Sequence, residues 1–180
     1  MQRADTRMAY RNQWLSVRED TVVYPDGSLG VYGVVEKPDF ALVMPEDTDG
    51  RFCMVEQYRY PVGRRSWEFP QGSWSAADSG TPDALAAAEL REETGLTADL
   101  MAHVGRLHPV YGFCTLAFDA FVATGLSTGL SARERSEQDM VQAWFTESEF
   151  VAMIRDGAVV DAASVAAYTL LLLARGVLPG

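Results

Sequence analysis

The hydrophobic and polar positions in the first two-thirds of the chain follow the two-residue period of β-strands more often than the longer period of helices. Residues 14–24 alternate well enough for one strand, and the turn sequence Pro25-Asp26-Gly27 leads into residues 30–36 as its hairpin partner. The pattern therefore predicts an N-terminal hairpin. Further strands are predicted by apolar segments at residues 40–44, 52–58, 102–108, 116–123 and 141–145.

One predicted helix, over residues 82–94, has start and stop signals at its two ends. Thr81 stands where a capping residue would, Pro82 suits the first helical position, and Asp83 complements the positive end of the helix dipole. Gly95 stands where a left-handed residue would end the helix. These signals predict where the helix begins and ends.

Two more helices are predicted near the C-terminus. Thr146 and Glu149 have the spacing of a capping box, which predicts a helix that runs to Arg155. Residues 165–174 are largely apolar and predict a helix packed on the core, since the run is only half as long as a membrane span. Helices among mixed strands predict an α+β fold, with helix layers on both sides of a sheet.

Three carboxylates lie close together at the end of the first helix: Glu89, Glu92 and Glu93. At about 100° per residue, Glu92 falls at about −60° and Glu93 at about +40° from Glu89, so the three share one face. Because anions this close repel one another, a bound cation is the simplest reason for the cluster, and oxygen ligands favour Mg²⁺ or Mn²⁺ over zinc. A solvated acidic helix face is the alternative interpretation.

Composition narrows the class of protein. The chain has 180 residues, 48% of them hydrophobic, which suits one domain with one substantial core. A net charge of −10 argues against a protein that grips nucleic acid, whereas a small anionic substrate stays compatible if a metal and local arginines reverse the charge in a cleft. Two cysteines argue against a disulfide framework or a zinc site. The N-terminus lacks the apolar core of a signal peptide, so a cytoplasmic location without membrane contact is expected.

The acidic helix follows a short predicted strand and a Pro/Gly turn at residues 67–73, and a strand, a loop and a metal-binding helix in this order resemble the Nudix hydrolases. The C-terminal half of that family's sequence box is matched by Glu89, Leu90, Glu92, Glu93, Gly95 and Leu96. The N-terminal half departs from it. Gly72 lies two residues too early, which lengthens the loop over residues 73–80, and Gly80 stands in place of the first Glu.

The largest departure from the box is Ala88, which replaces an Arg. An Arg there would lie four residues before Glu92 and pair with it along the helix. Arg91 points away from the acids at about 200° on the same wheel. The role of the missing box Arg therefore falls to Arg64 or Arg65, or else activity is lowered.

Other segments resemble one branch of the family, the ADP-ribose pyrophosphatases and related nucleoside-diphosphate-sugar hydrolases. These are the N-terminal hairpin, Glu56-Gln57-Tyr58-Arg59 and Trp67-Glu68-Phe69-Pro70. The resemblance implies a Nudix-type α/β/α sandwich with a mixed central sheet and an added N-terminal β-hairpin. It also implies a β element at residues 1–36 that forms a homodimer, and a catalytic domain at residues 37–180.

The resemblance implies a metal-dependent enzyme that hydrolyses a small nucleotide, most simply ADP-ribose to AMP and ribose 5-phosphate. Mg²⁺, or Mn²⁺ in its place, would be held by Glu89, Glu92, Glu93 and the backbone carbonyl of Gln71, with Glu92 and Glu93 catalytic. The base would come from a late loop that also holds Glu134 and Asp139, and Glu137 is favoured because it lies nearer the next strand.

Substrate contacts are predicted at three residues. Arg59 could bind a phosphate bidentately, and Glu68 lies in the strand before the box. Trp14 is a candidate to stack on adenine, because in a dimer of this branch the N-terminal element reaches the partner's cleft. The other aromatic candidates are Tyr10, Tyr32 and Tyr111.

Two other functions stay open. The turn over residues 69–72 also resembles that of Nudix hydrolases acting on dinucleoside polyphosphates or on capped RNA 5′ ends. Alternatively, the loss of the box Arg at Ala88 would suit a sensor that binds a nucleotide sugar without cleaving it. The retained carboxylates favour the hydrolase.

Overall fold

The computed structural model describes residues 1–74, 79–131 and 138–177. Within these residues the chain forms ten strands and three α-helices. The strands are β1 (Gln2–Arg11), β2 (Ser16–Val23), β3 (Leu29–Glu36), β4 (Phe40–Pro45), β5 (Phe52–Arg59), β6 (Arg64–Glu68), β7 (Gln71–Gly72), β8 (Leu96–Leu107), β9 (Phe118–Thr128) and β10 (Val141–Phe145). The helices are α1 (Pro82–Glu89), α2 (Glu147–Arg155) and α3 (Ala162–Ala174).

The N-terminal element is a three-stranded antiparallel sheet and not the two-stranded hairpin that the sequence predicts. β2 and β3 form the expected hairpin, and β1 pairs with the other edge of β2. Every residue of β1 is exposed, so none of its side chains packs in the core. Main-chain pairing holds it, together with a hydrogen bond from Thr6 to Asp20 and an ion pair between Arg7 and Glu19.

The rest of the chain builds two further sheets. A four-stranded sheet has the order β7-β4-β9-β8, in which β4 and β9 run parallel and the other neighbours antiparallel. A three-stranded antiparallel sheet has the order β10-β5-β6. The predicted mixed sheet is therefore confirmed.

Strand β4 is covered on both faces by helices. Leu42 and Met44 belong to the core cluster that contains residues of α2 and α3. Ala41 and Val43 belong to the cluster that contains residues of α1. Because successive side chains of a strand point to opposite faces, these two sets place α1 on one side of the sheet and α2 and α3 on the other. The predicted α+β sandwich is confirmed.

The acidic helix begins and ends where predicted but changes its geometry before its end. Pro82 is its first residue, and Gly95 follows it in the left-handed conformation, with φ of 74°. The Thr81 side chain accepts no capping hydrogen bond and instead lowers the pKa of Asp83 by hydrogen bonding to it. The α-helix stops at Glu89, and a π-helical turn continues it over Leu90–Thr94.

Both C-terminal helices have side-chain caps. The predicted capping box of Thr146 and Glu149 is present at the start of α2. Helix α3 begins three residues before the predicted apolar run, capped by Asp161. In the described parts of the chain, none of the helices combines the length and the apolar character that crossing a membrane requires.

Candidate active site

The first box acid lies against the end of strand β7. A β-carbon added to Gly72 would lie 2.3 Å from Glu89 Oε1, so the carboxylate occupies the space that a side chain at position 72 would fill. Only glycine permits this close approach. The approach places Glu89 beside Gln71, whose backbone carbonyl is the predicted fourth metal ligand.

The other two box acids lie in different environments. Glu93 is only 1% exposed, whereas the side chain of Glu92 is 39% exposed. Both lie in the π-helical turn, where each turn holds more residues than in an α-helix. The angles predicted for a regular α-helix therefore do not apply beyond Glu89.

The prediction that Arg91 points away from the acids is wrong. Its guanidinium lies 3.6 Å from Glu92 Oε1. The two residues are adjacent in the wider turn, and both side chains are partly exposed, so their long ends can meet in solvent. A pair of this kind contributes about 0–1 kcal/mol to stability.

The two arginines predicted to replace the missing box Arg contact other groups. Arg64 donates to the Gly157 carbonyl at 2.6 Å. Arg65 donates to Glu56 at 2.8 Å and to Asp139 at 2.6 Å.

Arg59 and Glu68, predicted separately as substrate contacts, form one ion pair. Glu68 is 2% exposed and accepts from Arg59 Nε at 3.0 Å, from a second guanidinium nitrogen and from Gln57 Nε2 at 2.9 Å. The side chain of Arg59 is 41% exposed. Since arginine carries five N–H donors, the pair with Glu68 leaves others that can bind a phosphate.

The charge state of this pair follows from its surroundings. Burial raises the pKa of Glu68, although the hydrogen bonds and charge of Arg59 oppose the rise. Burial alone would lower the pKa of Arg59, but hydrogen bonding to Glu68 and the negative charges of Glu68, Glu93 and Asp161 raise it overall. Arg59 is therefore a fixed cation within electrostatic range of the buried box acid Glu93.

Arg59, Glu68 and Asp161 line a cleft of about 320 Å³. Its polar wall consists of Arg59, Arg64, Ser66, Glu68, Gln71 and Asp161, and its apolar wall of Pro61, Val62, Val160 and Ala162. A larger cavity of about 820 Å³ lies between the turn after β4, the start of α2 and the end of α3, and its lining contains none of the predicted site residues.

The oxygen donors near β7 fit a hard divalent cation in their chemistry. Glu89 packs on Gly72, the residue after Gln71, and Glu93 follows Glu89 by four residues. Across residues 1–74, 79–131 and 138–177, no three His, Cys, Asp or Glu side chains are grouped closely enough to hold a metal ion. A site for such an ion would combine Glu89 and Glu93 with a main-chain oxygen, while Glu92 lies beside Arg91.

The predicted base, Glu137, and its alternative Glu134 fall outside the described residues, so the base stays a prediction. Asp139, the third acid of that loop, binds Arg65. Trp14 is 67% exposed in the turn between β1 and β2 and lies in a separate groove beside Pro38. Its stacking role also stays a prediction.

Asp161 was not predicted as a site residue from the sequence. It lines the cleft, caps α3 and accepts a hydrogen bond from Gln71 Nε2 at 3.0 Å. The signal for its capping role was present, since an Asp before an apolar run is a helix start. Its contact with Gln71, 90 positions away in the sequence, had no local signal.

Arg59→Ala is expected to lower the free energy of unfolding by about 1–3 kcal/mol at neutral pH, because buried Glu68 loses its cation. Partial exposure of Arg59 keeps this below the roughly 3–5 kcal/mol of a fully buried pair. The pKa of Glu68 is higher in the folded protein than in the unfolded chain, where it is near 4.5. The stabilisation that the fold gains from protonated Glu68 is therefore present below the unfolded-state pKa. It is lost as pH rises through the folded-state pKa.

Loss of Arg59 raises the pKa of Glu68 further. The difference in the free energy of unfolding between wild type and Arg59→Ala should therefore be largest above that pKa and shrink as Glu68 is protonated. Urea unfolding of wild type and Arg59→Ala across a pH series measures this. The double variant Arg59→Ala/Glu68→Gln should recover much of the loss. A deficit that does not change with pH would contradict the assignment.

Comparison with known proteins identifies the family. The profile described as NUDIX domain matches residues 36–168, and the profile described as nucleoside diphosphate sugar hydrolase N-terminal domain matches residues 1–35. The crystal structure of an ADP compounds hydrolase superimposes on this chain with a TM-score of 0.83, over 97% of this chain and 95% of the other. At 18% identity, this likeness shows the fold alone.

Three curated relatives are more similar to this chain in sequence than that structure is. An ADP-ribose pyrophosphatase of Mycobacterium tuberculosis is 33% identical over 152 residues, which are 84% of this chain and 73% of the relative. One of Bacillus subtilis is 29% identical over 123 residues, 68% of this chain and 65% of the relative. A methanol dehydrogenase activator of Bacillus methanolicus is 27% identical over 169 residues, 93% and 90% of the two chains. The chain therefore belongs to the Nudix family and is a Nudix pyrophosphohydrolase.

Proposed function

We propose that the protein hydrolyses the pyrophosphate bond of a nucleoside diphosphate sugar, with ADP-ribose as the substrate and AMP and ribose 5-phosphate as products. The observation that carries this proposal is the cleft in which Arg59, oriented by buried Glu68, lies beside the Gln71–Gly72 strand end on which Glu89 packs. The relatives named ADP-ribose pyrophosphatase support the choice of substrate.

The residues divide the work of hydrolysis. Arg59 binds a phosphate oxygen with the donors that Glu68 does not use. Glu89, Glu93 and the Gln71 carbonyl would hold Mg²⁺, or Mn²⁺ in its place, and the bound ion would supply charge neutralisation for the phosphates and help to activate water. Glu137 takes the proton of the attacking water as general base. Together, these groups fix the substrate and the water in one geometry.

The proposed enzyme is a homodimer that uses residues 1–36 as its contact element. Exposed apolar side chains on and beside the N-terminal sheet support this: Met8, Tyr10, Trp14, Leu29 and Val31. Sedimentation velocity of the full chain tests it, and a monomer at assay concentration would exclude a composite site with Trp14.

A substrate panel tests the proposed function. Products are quantified after incubation with ADP-ribose, other nucleotide sugars, dinucleoside polyphosphates and capped RNA, each with Mg²⁺ and with EDTA. Fastest cleavage of ADP-ribose, to AMP and ribose 5-phosphate, is expected only with the metal. Faster cleavage of a dinucleoside polyphosphate or capped RNA would replace the substrate assignment. Tight binding of ADP-ribose without turnover of any compound would make the protein a sensor.

A further inference from the structure

The start of α3 is hydrogen-bonded to the strand end that carries Gln71. Asp161 Oδ2 accepts from Gln71 Nε2 at 3.0 Å, from the Ser164 backbone N–H at 2.8 Å and from the Ser164 hydroxyl at 2.7 Å. The Ser164 hydroxyl oxygen accepts in turn from the Phe69 backbone N–H at 2.9 Å. Ser164 is fully buried, so water does not compete for the bond from Phe69, whereas the bonds to Asp161 are partly buried.

The same strand end is held from its other side by the central sheet. The Pro70 carbonyl accepts from the Val43 backbone N–H at 2.9 Å. The next residues, Gln71 and Gly72, pair with β4, and Gly72 carries the Glu89 carboxylate on its surface. Phe69 and Gln71 are thus bonded to α3, Pro70 and Gly72 are held by the sheet, and Gly72 also contacts Glu89 of the acidic helix.

We propose that Asp161 is a positioning residue for the reaction. One carboxylate oxygen caps α3 and anchors the Gln71 side chain, and this places the Gln71 backbone carbonyl and the Gly72 surface where Glu89 needs them. The inference rests on the proposed function for its metal ligands. It differs from simple capping, because capping alone requires no bond to Gln71.

Three variants separate positioning from capping and from charge. Asp161→Ala removes the cap and the anchor together. Asp161→Asn keeps an amide oxygen that can accept the bonds of Oδ2, and it removes the negative charge together with the Oδ1 acceptor of the long 3.4 Å bond from the Ala163 N–H. Thr146→Ala is the matched control, because it removes the side-chain cap of the neighbouring helix α2 outside the cleft.

Two readouts are measured on the full chain. The first is Mn²⁺ binding without nucleotide, by calorimetry, and the second is kcat and KM for ADP-ribose at saturating Mg²⁺. Asp161→Ala should weaken Mn²⁺ binding and lower kcat by about 10–100-fold each, as loss of a group that orients a metal ligand does. Its KM should stay within about twofold of wild type. Asp161→Asn should retain most of both properties, and Thr146→Ala should lose only thermal stability.

The proposal is overturned if Asp161→Ala binds Mn²⁺ as tightly as Thr146→Ala does, since Asp161 would then only cap its helix. It is equally overturned if Asp161→Asn fails as badly as Asp161→Ala, because charge would then matter and not geometry. A wild-type chain that binds no Mn²⁺ also overturns it. If ADP-ribose is not the substrate, the Mn²⁺ measurement still decides the role of Asp161 separately.

Discussion

Glu93→Gln is expected to lower kcat about 10³-fold while leaving the fold intact. The side chain of Glu93 is buried on the acidic helix, and its charge acts on Arg59 in the cleft. Loss of one carboxylate from the proposed metal site forfeits several kcal/mol of charge stabilisation in the transition state, and each 1.4 kcal/mol corresponds to about tenfold in rate. Because glutamine has nearly the same shape and no charge to bury, thermal stability should not fall.

The measurement is kcat at saturating Mg²⁺ together with a thermal unfolding curve. Glu46→Gln is a matched control, because it makes the same chemical change in the other cavity, where Glu46 pairs with Arg175. The control should keep wild-type kcat. A Glu93→Gln enzyme within tenfold of wild type would remove Glu93 from the active site.

Gly72→Ala is the second large expected effect, a loss of about 10²-fold in kcat with little change in stability. The added methyl group would lie 2.3 Å from Glu89 Oε1 and 2.5 Å from its carboxyl carbon, so the carboxylate has to leave the strand end. The displaced atoms are the far end of a flexible side chain, which lets the fold survive the change. A displacement of about 1 Å in a positioned group can cost 10²-fold in rate.

Gly112→Ala is the matched control for this substitution. A β-carbon at Gly112 meets no atom within 4 Å, and this glycine, like Gly72, does not have positive φ. Apparent Mg²⁺ activation constants separate the explanations: Gly72→Ala should need more metal, whereas Gly112→Ala should match wild type. Wild-type kcat and metal dependence in Gly72→Ala would show that the position of Glu89 does not matter.

Local sequence patterns predicted the features that local physics determines. The limits of the acidic helix follow from Pro82 and Gly95, whose backbone preferences act within one residue. The capping box of Thr146 and Glu149 is equally local. The two-sided burial of β4 agrees with its unbroken run of apolar residues, as expected for a strand covered on both faces.

Features that depend on long-range contacts were not predictable in this way. Strand β1 exposes every residue, so it does not pack on the core and depends on its pairing with β2. The π-helical turn at Leu90–Thr94 differs from an α-helix by one hydrogen-bond step, a difference too small for hydrophobic period to resolve over a single turn. The pairing of Arg59 with Glu68 requires the hairpin of β5 and β6 to form first.

We propose metal-dependent cleavage of ADP-ribose at its pyrophosphate bond by the site that contains Glu89 and Glu93. The most direct measurement is the yield of AMP and ribose 5-phosphate from ADP-ribose in four reactions, with wild-type and Glu93→Gln protein, each with Mg²⁺ and with EDTA. We expect equal amounts of the two products from wild type with Mg²⁺, and a trace or none in the other three reactions. Equal product release by wild type and Glu93→Gln, or by wild type in EDTA, would contradict it.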